Sequence, residues 1–128
     1  MKKVIVLIIV FLATNDLIAQ SSIKELRHVV LFGWKQGADT NSINKAIQAF
    51  GELPKQINSI KKYEWGINNS PEKLNQGLTH CFVLTFSSEK DRDDYLVHPV
   101  HVAFTKLLPN ILDKVTVLDY WVTSLIYN

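Results

Sequence analysis

Tyr95, His98 and His101 crowd around Pro99 in DDYLVHPVHVAF, residues 93–104. Imidazole titrates at about pH 6.5 when unperturbed, so a histidine can take or return a proton near neutral pH, whereas a phenol donates a hydrogen bond and keeps its own proton. Brought into one space, such groups suit proton transfer on a small molecule. The same residues also admit a plainer account. A buried Tyr95–His101 pair would stiffen a helix break, because buried polar groups need partners whether or not they do chemistry. His28 and His80 sit in apolar stretches elsewhere, and His80 reads as a hydrogen-bonded core residue. A metal centre fits poorly, since His98 and His101 lack the HExxH spacing and no thiolate or carboxylate cluster completes four ligands.

The elements that must position these groups follow from periodicity. Proline disfavours the α conformation at His98 and has no amide donor, so a helix from Glu89 to about Leu96 should break there and a second begin with Pro99 in its first turn. His98 is then placed to cap that second helix or hold the break. On the second helix Val100, Ala103, Phe104, Leu107 and Leu108 form an apolar stripe, with His101 at its edge, facing the space between helix and sheet. Tyr95 reaches the same space only if the break turns it there. RHVVLFGW (27–34) alternates as a strand with His28, Val30, Phe32 and Trp34 on one face, and LTHCFVLTFSS (78–88) alternates likewise. Ile43, Ala46, Ile47, Phe50 and Leu53 predict an amphipathic helix that ends at Pro54. A strand through Tyr63, Trp65 and Ile67 and a last one over 114–126 complete a β-α-β-β-α-β order, a split βαβ arrangement with both helices on one face of an antiparallel sheet. The strands carry large apolar residues in both alternating positions. The face away from the helices therefore predicts a second sheet, most economically that of an identical subunit.

Residues 1–19 read as a secretory signal: Lys2 and Lys3, an apolar run from Val4 to Ala13, and a polar exit ending at Ala19. The run is about half of the roughly 20 residues that span a bilayer, so cleavage rather than anchorage is expected, leaving residues 20–128 as one exported domain, periplasmic or secreted. With Lys2, Lys3 and Asp16 set aside, charge is nearly balanced and no basic run suggests nucleic acid as a partner. Cys81 is the single cysteine, so no internal disulfide forms and it reads as a small core hydrophobe.

RHVVLFGWK, YEWGIN, GLTHCFVLTF, DDYLVHPVHVAF and VLDYWV, in that order from about Leu26 to Val122, resemble the stress-responsive dimeric α/β barrel (Dabb) family. The resemblance implies a ferredoxin-like α+β protomer that pairs sheet to sheet as a homodimer. A plant polyketide cyclase of that family closes a linear poly-β-keto thioester by intramolecular aldol condensation without metal or organic cofactor. By that likeness Tyr95 and His101 would be the catalytic pair, the histidine as base and the tyrosine as donor to a carbonyl oxygen becoming an enolate. His28, Trp34, His98 and Phe104 would border the substrate. Phe50 departs from the cyclase, which has a pocket tyrosine there, and this changes the expected substrate rather than the fold. The expectation is a cofactor-independent lyase or cyclase acting on a small, partly apolar carbonyl compound. A non-catalytic, stress-associated ligand-binding protein is the alternative.

Overall fold

A computed structural model describes residues 24–123; the expected leader and the end of the last expected strand lie outside them. The elements are β1 (Leu26–Trp34), α1 (Thr40–Gln56), β2 (Lys62–Ile67), β3 (His80–Phe86), α2 (Glu89–Val97), α3 (Pro99–Thr105) and β4 (Leu112–Trp121). The strands form one sheet in the order β2-β3-β1-β4, each neighbouring pair antiparallel. This is the α+β ferredoxin-like fold, with the second helix divided in two.

Alternation decides which side chains form the core. Leu26, His28, Val30 and Phe32 of β1 and Phe82, Leu84 and Phe86 of β3 are buried on the face that meets the helices. Ala46, Phe50 and Leu53 bury the matching stripe of α1, and Phe50 stacks on Phe82 with ring centroids 4.4 Å apart. Asp39 starts α1 by accepting the Ser42 amide at 2.8 Å, which satisfies one of the free donors of the first turn.

Pro54 does not end α1, contrary to the sequence expectation, for the helix runs on to Gln56. The missing amide forfeits one hydrogen bond to the Phe50 carbonyl, a net loss of about 1 kcal/mol. Carrying the turn further buries Ile57, worth roughly 2 kcal/mol, and its amide still reaches the Leu53 carbonyl at 2.9 Å. Burial wins. The break between α2 and α3 falls where Pro99 predicts it: His98 is extended (φ −64°, ψ 134°) and its Nδ1 accepts the Val100 amide. The predicted stripe of α3 is narrower than expected. Phe104 and Leu108 are buried, but Leu107 lies beyond the helix end and is exposed.

The helix layer stops short of β4. Val115 and Val117, on the helix side of that edge strand, are 53 % and 49 % exposed. On the opposite face Leu118 and Tyr120 are exposed and Val29, Leu31 and Val83 half-buried, an apolar surface with no helix upon it. The 68–79 loop folds against one end of this face. Its Gly77 carbonyl oxygen would lie 2.5 Å from a Cβ at Gly33, and the Thr79 amide donates to the Phe32 carbonyl.

Candidate active site

A cavity of about 280 Å³ opens where the helix layer ends, between α2–α3 and the β1–β4 edge. Its walls are mostly apolar, from Val30, Phe50, Phe104 and Val117 among others, and its polar groups are His28, His101, Asp119 and Thr105. Of the residues singled out from the sequence, His28, His101 and Phe104 therefore meet at one cavity.

His101 reaches it because the α2–α3 break turns the start of α3 towards the sheet. Its Nδ1 lies 3.0 Å from the Leu96 carbonyl oxygen. A carbonyl only accepts, so Nδ1 carries the proton and Nε2 of the neutral ring keeps its lone pair. Burial pushes the His101 pKa below the ordinary imidazole value; the Leu96 bond opposes this, and His28 and His98 add smaller contributions to the lowering. The ring is thus held neutral at neutral pH with Nε2 as a base.

His28 lies on the opposite wall, buried on β1. Its Nδ1 stands 2.6 Å from Oδ1 of Asp119, which the β1–β4 register places directly across from it. Oδ2 of Asp119 accepts from Nη1 of Arg92 on α2 at 2.7 Å. Neither Asp119 nor Arg92 stood out in the sequence. The available signal was a lone carboxylate inside the apolar strand VTVLDYWV, on the same face as Val115 and Val117.

Tyr95 packs behind these two rings rather than on the cavity wall. Its ring centroid is 4.3 Å from that of His101, 5.7 Å from His28 and 5.3 Å from Phe86, and the residue is 1 % exposed. Burial, with a small addition from Tyr63, raises its pKa well above the usual phenol value. Tyr95 keeps its proton under all ordinary conditions and can act as a donor, not as a base.

Two sequence candidates stand elsewhere. His98 caps α3 through Nδ1 at 3.2 Å from the Val100 amide. Trp34, at the far end of β1, donates its indole Nε1–H to Nδ1 of His80 at 3.0 Å, and burial lowers the His80 pKa. Phe50 fills the cavity floor and packs on Phe104, with centroids 4.7 Å apart. A larger hollow, about 680 Å³, lies under the 68–79 loop and is bordered by Leu31, Cys81 and Val83 of the helix-free sheet face.

Comparison with known proteins places this geometry. The stress responsive A/B barrel domain family matches residues 26–122. The stress-response A/B barrel domain-containing protein HS1 of Arabidopsis thaliana is 38 % identical over 99 residues, covering 77 % of this chain and 91 % of that protein. Olivetolic acid cyclase of Cannabis sativa is 24 % identical over 95 residues, covering 74 % and 94 %. Among solved structures, hydroxynitrile lyase from Passiflora edulis superposes with a TM-score of 0.75 at 25 % identity, covering 82 % of this chain and 99 % of that one. A dimeric protein of unknown function and ferredoxin-like fold from Bacteroides fragilis gives 0.61 at 27 % identity, covering 75 % and 94 %. With the family matched over nearly the whole described region and its fold reproduced, the chain belongs to the stress responsive A/B barrel (Dabb) domain family.

Proposed function

We propose that the cleft between α2–α3 and the β1–β4 edge binds a small, partly apolar carbonyl compound and acts on it as a cofactor-independent lyase or cyclase, in an exported homodimer. The observation that carries this is the state of His101. Its Nδ1–H is tied to the Leu96 carbonyl, its pKa is lowered by burial, and its Nε2 is left basic at an apolar cavity. A base of that kind takes a proton from carbon next to a carbonyl, or from a hydroxyl on the carbon that becomes one. The names of two relatives, a cyclase and a hydroxynitrile lyase, point to reactions of this class. Tyr95, protonated and packed on His101, is the donor for the developing oxyanion, which requires a ligand that reaches past the imidazole. Pairing through the helix-free face of the sheet gives the dimer, in keeping with neighbours described as dimeric.

The sealed position of Tyr95 also favours a second reading, in which the tyrosine and histidine form a structural pair and the cleft holds a ligand without turnover. Histidine ring resonances followed by NMR against pH, with and without small β-diketones and phenols, separate the two. A His101 midpoint below the ordinary imidazole value that moves when a β-diketone is added, followed by slow consumption of the compound, supports catalysis. Binding without consumption supports the second reading, and a His101 signal indifferent to every compound overturns both.

A further inference from the structure

The polar side of the cleft joins α2 to the edge strand β4, which also meet through a longer bond from Trp121 Nε1–H to Glu89 Oε1 at 3.4 Å. Asp119 sits on the edge strand β4, with its side chain 28 % exposed, so water competes for its carboxylate. An aspartate χ2 has no sharp preference, and a carboxylate so placed would swing. Here both oxygens are occupied, Oδ1 by His28 Nδ1 at 2.6 Å and Oδ2 by Arg92 Nη1 at 2.7 Å. Arg92 is itself anchored: its side chain is 18 % exposed and its Nε donates to Asp93 at 2.8 Å. The planar guanidinium thus presents a donor in a fixed direction, which a flexible ammonium does not. The bridge crosses from α2 to β4 where Val115 and Val117 lie open to solvent.

We propose that Arg92 is a positioning residue for the cleft: by holding one oxygen of Asp119 it aims the other at His28 Nδ1, and so keeps His28 Nε2 turned to the cavity opposite His101. This deepens the proposed proton-transfer reading and rests on it. The carboxylate accepts only, so the bonded Nδ1 carries a proton, and the nitrogen left for the cavity is Nε2. The groups that face His28 are Asp119 from β4, Tyr95 from α2, His101 from α3 and Phe86 from β3, with Arg92 and Asp93 behind Asp119. Arg92 shares the carboxylate charge, so Asp119 orients His28 without acting on it alone. The two imidazoles then present the same nitrogen across one cavity, one fixed by a main-chain carbonyl and the other by a charged chain of two side chains. Either ring can then take a proton from a ligand held between them, with Tyr95 left as the donor to the ligand oxygen.

The test needs no ligand, so it stands whether or not a β-diketone perturbs His101. Long-range ¹H–¹⁵N correlation at about pH 8.5, where imidazole is neutral, reads the tautomer and the water exchange of each ring proton. In the wild type, His28 and His101 should both be Nδ1–H forms. Arg92→Gln should mix the His28 tautomers and speed exchange of its Nδ1 proton about tenfold, as expected when a charged hydrogen bond is removed from the chain. His101, tied to Leu96, should stay as it was and serves as the internal check on folding. Arg92→Lys, a charge without the fork, should lie between. Whichever variant leaves His101 unchanged is the one read. A wild-type His28 tautomer and exchange rate in that variant overturns the proposal, as does an Nε2–H form of His28 in the wild type.

Discussion

A histidine that gives its Nδ1 proton to a main-chain carbonyl can offer a ligand only its basic nitrogen, and His101 is in that condition. Its lowered pKa has a consequence for stability. Above the unfolded value of about 6.5 both states are neutral and the ring adds no pH dependence. As pH falls through that value the unfolded chain takes a proton that the folded ring refuses, so stability declines until the folded ring also protonates. Melting temperatures measured from pH 8 to pH 5 should fall for the wild type and fall less for His101→Gln; parallel curves would remove His101 as the cause. Tyr95→Phe keeps the ring contacts with His101, His28 and Phe86. If the hydroxyl serves a ligand, denaturant unfolding should change by less than about 1 kcal/mol. A loss of about 1 to 3 kcal/mol would place the hydroxyl in a structural bond instead.

Elements whose shape depends on local chemistry were legible in the sequence. Pro99 acts on its own neighbours, so the α2–α3 break and the capping place of His98 could be read from residues 95–101 alone. Replacing the cap, His98→Ala, should cost about 1 kcal/mol of stability, checked by chemical denaturation, and leave the ligand response of His101 in place. Pro54 misled because its local effect is outweighed by burial of Ile57 beyond it, which only the packed sheet supplies. Asp119 was missed for a related reason. It meets His28 across 91 residues of chain through the β1–β4 register, and alternation tells which face a residue occupies, not which residue lies opposite. Trp34 shares the strand face of His28 and was expected to border the substrate with it. The register shift after Gly33 and the length of β1 carry it instead to the far end, where it bonds His80.

For the whole molecule, the helix-free face of the sheet sets the expectation. Val29, Leu31 and Val83 are too apolar for a water-facing sheet and lie on the side where pairing through the sheet would bury them. A charge at its centre, Leu31→Asp or Val29→Asp, should halve the mass seen by analytical ultracentrifugation or unfold the chain. An unchanged, stable dimer in both variants would put the interface elsewhere. On the same face, the Gly77 carbonyl lies over Gly33 at a distance that leaves no room for a methyl group. Gly33 has no left-handed backbone to defend, so what it guards is a neighbour's space. When every position is varied in a pooled library under selection for folded protein, position 33 should reject alanine as firmly as it rejects tryptophan. Leu31, two residues earlier on the same face, should accept most apolar replacements.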